Sequence, residues 1–131
     1  MPGIYLDTSA VGRVVLGELD APAIRAKLAQ FDPWWASELL LVEARRLGRR
    51  ERVSAAVESI LGLVKLSALP RALVEAASVI DPVEVRSLDA IHLTTARGLH
   101  ATSEIVAVLT YDKQLQAGCS HHGIPVEAPA A

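Results

Sequence analysis

Short apolar runs alternate with longer amphipathic segments along the whole chain. The runs predict five strands, at Ile4–Leu6, Trp34–Ala36, Val64–Leu66, Glu104–Leu109 and Pro125–Val126. Helical spacing of apolar residues predicts helices between them, at 10–19, 20–28, 37–50, 54–63, 70–80, 87–99 and 112–117. Strands separated by helices favour an α/β fold with a mostly parallel central sheet and helices on both faces.

Two aspartates lie at or shortly after the ends of predicted strands. Asp7 ends the first apolar run, and Asp112 comes shortly after the run that ends at Leu109. Ligands of open parallel sheets bind at the carboxyl ends of the strands, so both side chains lie where a site is expected. Asp7, Asp89 and Asp112 also begin predicted helices, and a simple helix-capping role explains each of them equally well.

Glu43 does not fit a capping role, because it lies inside a helix. At 100° per residue it falls on the same face as Leu40 and Leu47, within the apolar stripe. Burying a carboxylate there is costly unless it is paired or bound to a metal ion. A salt bridge to Arg13 or Arg86 is the alternative to a metal site.

If Asp7, Glu43, Asp89 and Asp112 converge, their mutual repulsion destabilises the fold unless a cation relieves it. A set of oxygen ligands with room for water favours Mg²⁺ or Mn²⁺. Such ions activate water and neutralise phosphate charge. The pattern therefore indicates phosphodiester hydrolysis.

Composition limits the other possibilities. The 131 residues suffice for one domain, assigned to 1–127 with a flexible tail at 128–131. The single Cys119 is typical of a reducing compartment, and no apolar run is long enough for a membrane span, so we expect a cytoplasmic protein. The net charge of −2 argues against a generic nucleic-acid binder.

Local charge is less even. Five of the 13 basic residues fall within 45–52, on the helix face away from Glu43. This cluster is either a solvated surface or a contact for RNA or a protein partner. Zinc binding by Cys119, His121 and His122 is disfavoured, because their spacing matches no standard zinc site. His92 is either a hydrogen-bonded core residue or a site contact.

Four motifs in order resemble the PIN domain, most closely the VapC toxins of prokaryotic toxin–antitoxin pairs. They are Tyr5-Leu6-Asp7-Thr8-Ser9, Ser37 to Glu43, Leu88 to Leu93, and Leu109-Thr110-Tyr111-Asp112. The resemblance implies a single α/β/α domain with a five-stranded parallel sheet. It also implies a Mg²⁺- or Mn²⁺-dependent endoribonuclease that acts on RNA such as transfer or ribosomal RNA.

The resemblance assigns roles residue by residue. Asp7, Glu43, Asp89 and Asp112 fall on the family's four acidic positions, which bind metal and activate water. Ser9 and Thr110 fall on hydroxyl positions that support them. Arg13, Arg86 and His92 are expected as substrate or phosphate contacts.

The resemblance further implies a homodimer and a cognate antitoxin whose C-terminal segment occupies a groove near the site. DNA would be contacted only through the antitoxin. Other classes fit less well: a receiver module needs an acidic pair after the first strand, and a haloacid dehalogenase needs Asp where Ser9 stands. A catalytically silent PIN-like binding or regulatory module is the remaining alternative, although it would be expected to lack at least one acid.

Overall fold

Five short strands and seven helices make up the fold, and the computed structural model describes all 131 residues. The strands are β1 (Ile4–Leu6), β2 (Trp34–Ser37), β3 (Val64–Ser67), β4 (Ala107–Leu109) and β5 (Val126–Glu127). The helices are α1 (Thr8–Val15), α2 (Ala21–Leu28), α3 (Leu39–Glu51), α4 (Ser54–Leu61), α5 (Arg71–Ala77), α6 (Ser87–Ala101) and α7 (Lys113–His121). None of these helices has both the length and the apolar character that crossing a membrane requires.

The strands form one sheet in the order β3-β2-β1-β4-β5, and every neighbouring pair is parallel. The predicted α/β class and five-stranded sheet are therefore confirmed. β1 lies in the middle, with β2 on one side and β4 on the other. The direction of strand order reverses at β1, which places a crevice at its carboxyl end.

Alternating side chains of β1 supply two separate apolar cores. Ile4 and Leu6 pack against α1, α2, α3 and α4 on one face of the sheet. Tyr5 packs on the other face, against Leu93 of α6 and Leu115 of α7. A strand buried on both faces must be apolar throughout, which explains the uninterrupted run. The run ends at Asp7 because there the chain leaves the sheet and begins α1.

Several predicted boundaries are wrong by a few residues. α1 ends at Val15 rather than Leu19, because the chain turns through Gly17 at a φ of 66°. β4 begins at Ala107 rather than Glu104, because the chain leaving α6 first turns through Ser103 at a φ of 63°. α7 extends to His121 rather than ending at residue 117, so Cys119 lies in the helix.

The start of β1 tolerates no side chain at Gly3. A Cβ there would lie 2.2 Å from the carbonyl oxygen of Glu104 and 3.2 Å from that of Pro33. Because both neighbours are backbone, relief requires β1 to move from its partners. We expect Gly3→Ala to lower the free energy of unfolding by about 2–3 kcal/mol in urea denaturation. Gly98→Ala is the matched control, since nothing lies within 4 Å of that Cβ position; an equal loss there would contradict the steric explanation.

Candidate metal-dependent nuclease site

Asp7 is held at the carboxyl end of β1 by three donors. Its Oδ1 accepts from the Ser9 hydroxyl at 2.7 Å and from the Ala10 amide at 3.3 Å, and its Oδ2 accepts from the Thr110 hydroxyl at 2.8 Å. Asp7 therefore does cap α1, as the simpler explanation predicts. Only 4% of the residue is exposed. Burial raises the pKa of Asp7 above its usual value, although the three hydrogen bonds oppose the shift.

The two hydroxyls also join the ends of neighbouring strands. Ser9 Oγ accepts from the Tyr111 amide at 2.9 Å, and Thr110 Oγ1 accepts from the Asp112 amide at 3.1 Å. The chain segment after β4 is thus bonded directly to the segment after β1. These contacts bring the segment of Asp112 next to that of Asp7. The supporting roles of Ser9 and Thr110 that the resemblance implies stay a prediction.

Asp89 and Asp112 form a close pair of carboxyl groups. Asp112 caps α7, with Oδ1 accepting from the amides of Gln114 at 2.9 Å and Leu115 at 3.0 Å. Asp89 lies in the first turn of α6. Burial and then repulsion from Asp112 raise the pKa of Asp89 to about 6, with Asp7 adding to the effect. Asp89 is therefore near enough to both other aspartates to be repelled by them.

Glu43 reaches the same edge of the sheet but is engaged differently. Its Oε1 accepts from the Thr8 hydroxyl at 2.7 Å and from His92 Nε2 at 2.7 Å. Burial alone would raise the pKa of Glu43, but the hydrogen bonds from His92 and Thr8 outweigh it, and the pKa lies below its usual value. Both bonds use Oε1, which leaves Oε2 without a protein donor.

A buried chain of hydrogen bonds sets the His92 ring. The Ser37 amide donates to the Tyr5 hydroxyl at 3.2 Å, and that hydroxyl is hydrogen-bonded to His92 Nδ1 at 2.6 Å. Because Glu43 is an ionised acceptor, Nε2 carries the proton that is donated to it. His92 is 2% exposed and both of its ring nitrogens are bonded. It therefore holds Glu43 in place, and direct contact of His92 with the substrate stays a prediction.

Neither predicted arginine pairs with Glu43; its partner is His92 instead, at 2.7 Å. Arg13 forms an ion pair with Asp20 at 2.8 Å and lies over the Tyr111 ring at 4.1 Å. Tyr111 directly precedes Asp112 in the sequence. In this position, 41% of the Arg13 side chain is exposed. Arg86 precedes α6 and is exposed, and its backbone amide donates to Gln114.

Comparison with known proteins agrees with this geometry. The sequence profile of the PIN domain matches residues 4–119, which is most of the chain. The chain belongs to the PIN-domain family. Its strand order, its aspartates at the ends of β1 and β4, and its helices on both faces are thus those of a PIN domain.

Curated relatives of this PIN domain are of the VapC type. It is 31% identical over 132 residues to Ribonuclease VapC46 of Mycobacterium tuberculosis, covering 99% of this chain and all of that protein. It is 31% identical over 135 residues to Ribonuclease VapC47 of the same species, covering 98% of each. The crystal structure of M. tuberculosis VapC20, described as a sarcin-ricin loop cleaving toxin, has the same fold. The TM-score is 0.67 at 22% identity, covering 87% of this chain and 93% of that one.

The acidic residues of this PIN domain suit a hard cation that keeps much of its water. No group of three or more His, Cys, Asp or Glu side chains lies close enough together to hold a metal ion in this arrangement. Repulsion from Asp112 and Asp7 nevertheless adds to burial in raising the pKa of Asp89 to about 6, and a cation relieves such repulsion. Mg²⁺ typically binds through one or two carboxylates and retains several waters. The oxygen donors present therefore fit Mg²⁺ or Mn²⁺.

Cys119 plays no part in this site or in the disfavoured zinc site. Its side chain is buried in the core beneath α7, whereas His121 is exposed. Burial raises the pKa of the Cys119 thiol to about 12, so the thiolate needed for metal binding or nucleophilic attack is suppressed.

Proposed function

We propose that this PIN domain is a metal-dependent endoribonuclease that hydrolyses RNA phosphodiester bonds as the toxin of a type II toxin–antitoxin pair. The observation that carries the proposal is that Asp7 and Asp112 follow adjacent parallel strands and are linked there through the Ser9 and Thr110 hydroxyls. Asp89 adds a third carboxylate that both repel, and a divalent cation would relieve that repulsion. Relatives named as ribonucleases, similar over nearly the full length, support the reaction class. All four acids are present, so nothing favours a catalytically silent module.

Each side chain has a role in this proposal. Asp7, Asp89, Asp112 and Glu43 would hold Mg²⁺ or Mn²⁺, which when bound supplies an activated water and neutralises phosphate charge. The hydroxyls of Ser9 and Thr110 fix Asp7. His92 is bonded to Oε1 of Glu43, so Oε2 is the carboxylate oxygen that remains available to the site.

Arg13 and Arg86 are proposed to contact the RNA phosphates near the cut. The half-exposed guanidinium of Arg13 beside Tyr111 supports this role more directly, since Arg86 is tied to the site only through its backbone.

Cleavage of RNA with and without metal tests the function. The purified protein is incubated with total cellular RNA in Mg²⁺ or Mn²⁺, and in EDTA, beside Asp7→Asn prepared identically. We expect discrete cuts that need metal and disappear in the mutant, because the mutation removes one charge of the cation site. Equal cutting by Asp7→Asn would show a contaminating nuclease. Cutting that persists in EDTA would overturn the metal dependence.

The antitoxin partner has a suitable surface. A groove of about 470 Å³ between α1, α2 and α4 is mostly apolar, and its walls include Val14, Leu28, Trp34 and Ile60. We propose that the C-terminal segment of the antitoxin binds here, since apolar grooves take amphipathic segments. The groove includes Trp34 at the amino end of β2, so it lies at the end of the sheet opposite Asp7 and differs from the groove near the site that the resemblance implies. DNA contact is then indirect, through the antitoxin.

The proposal also includes a homodimer and a cytoplasmic location. Val74, Val79 and Val83 are exposed around α5, and apolar surface of this kind is typical of an interface with a second copy. The buried free thiol of Cys119 suits a reducing compartment.

A further inference from the structure

The solvent face of α3 carries a concentrated positive patch. Arg46, Arg49 and Arg50, here called the α3 arginine patch, surround a depression of about 420 Å³ that no other residue lines. The whole protein has a net charge of −2, so this concentration is local rather than a general property.

Nearby carboxylates do not neutralise the patch. The adjacent Arg45 is paired with Glu58 at 2.9 Å, which removes it from the patch. Arg50 has only a loose contact with Glu51 at 3.5 Å, and Arg46 and Arg49 have no ion-pair partner. Three guanidiniums around a common space repel one another, and a bound polyanion would offset that repulsion.

The patch begins one turn beyond Glu43. At 100° per residue Arg46 and Arg50 lie within about 60° of Glu43 around α3, so these two arginines do not lie on the opposite face that the sequence pattern had indicated. Arg46 follows Glu43 by three residues and Arg50 by seven, so along the axis of α3 they lie about 5 and 10 Å beyond it. The arginines therefore lie on successive turns of α3, at increasing distance from the acids. A nucleic-acid strand bound at the acids would pass within reach of the arginines.

The lining of the depression distinguishes between partners. It contains no hydrophobic residue. Protein partners draw most of their affinity from apolar and aromatic anchors in pockets, whereas a nucleic-acid backbone is bound largely through phosphate contacts. Arginine forks match phosphate oxygens in geometry as well as in charge.

We propose that the α3 arginine patch is an exosite for the phosphate backbone of the RNA substrate, outside the cleaved bond. This inference rests on the proposed function, because it concerns RNA bound by the same enzyme. The contacts are with phosphates, so the exosite would raise affinity and fix the direction of the strand without reading sequence.

Salt-dependent binding tests the exosite. The probe is a fluorescein-labelled single-stranded oligouridylate, measured by anisotropy on Asp7→Asn protein so that cleavage does not interfere. The patch variant replaces Arg46, Arg49 and Arg50 with Gln. The control variant replaces Arg25, Arg71 and Arg97 with Gln, which changes the net charge equally.

We expect the patch variant to bind roughly tenfold or more weakly at low salt, with the slope of log affinity against log salt reduced by about 2. The control should keep the parent slope. In the active protein the patch substitutions should raise KM and leave kcat unchanged, because the acids are untouched. Equal binding by patch and control variants would overturn the exosite.

Two further outcomes separate this proposal from others. If the wild-type protein does not cleave RNA but its RNA binding still depends on the α3 arginine patch, the nuclease function is wrong and the exosite stands. If the patch substitutions weaken binding of polyglutamate and leave binding of oligouridylate unchanged, the occupant is an acidic protein segment. That result would overturn the RNA assignment.

Discussion

Replacing Asp89 with asparagine is expected to reduce RNA cleavage by roughly 1,000-fold and yet leave the protein more stable at pH 7. The loss of activity follows from removing a carboxylate that we propose to bind the metal. The gain in stability follows from removing its repulsion with Asp112 and Asp7, the same repulsion that, with burial, raises the pKa of Asp89 to about 6.

The pH dependence of stability gives this prediction a specific signature. A carboxyl whose pKa is raised on folding binds its proton more tightly in the native state. Its contribution to the free energy of unfolding is therefore largest below about pH 4 and is lost as pH rises through 6. Because the group is partly exposed and screened, the fall attributable to Asp89 is about 1 kcal/mol. Urea denaturation at several pH values, without metal, should show this fall in the wild type and a smaller one in Asp89→Asn.

Glu84→Gln is the matched control for Asp89→Asn, since Glu84 is exposed and belongs to no part of the site. It should change neither cleavage nor the pH profile. If Asp89→Asn destabilised the fold, the carboxyl would be a structural anchor and its assignment to the metal site would be wrong.

Replacing His92 with alanine is expected to lower the free energy of unfolding by about 3 kcal/mol and to reduce cleavage as well. The substitution leaves a cavity beneath α6. It also removes the partner of the buried Tyr5 hydroxyl and a donor to Glu43. Urea denaturation and cleavage assays measure the two effects.

Two other variants separate packing from hydrogen bonding. Tyr5→Phe removes only the hydroxyl, and we expect a loss of about 1 kcal/mol. His121→Ala changes an exposed histidine at the end of α7 and should have no effect on either assay. Unchanged cleavage in folded His92→Ala protein would show that Glu43 does not need this donor.

Residue patterns were sufficient to predict the layers of the fold. The apolar run at Ile4–Leu6 ends at Asp7, and an uninterrupted apolar run this short is typical of a strand that is buried on both faces. The face of α3 was also predicted correctly, since Leu40 and Ala44 are buried and Arg45 is exposed. These features depend on local periodicity, which the sequence carries directly.

The partner of Glu43 could not be predicted in the same way. His92 is 49 residues away in sequence, and Tyr5, which orients it, is 87 residues from His92. Local spacing favoured arginines near the ends of predicted helices, but Arg13 is instead held by Asp20 and Tyr111. The only sequence signal for the chain of bonds was a polar tyrosine within an apolar strand and a histidine on the buried side of α6. Such contacts arise from tertiary packing, which no local pattern encodes.

The central position of β1 has a consequence for how the molecule opens. β1 is paired along both edges and buried on both faces, and Asp7 follows it directly. Segments of this kind exchange their amide hydrogens only when the whole domain unfolds, whereas loops and terminal helices open locally. The carboxylate of Asp7 therefore keeps its position through fluctuations that loosen the periphery. Chaperones and proteases that act on partly opened states would then meet a molecule in which Asp7 still lies at the end of β1.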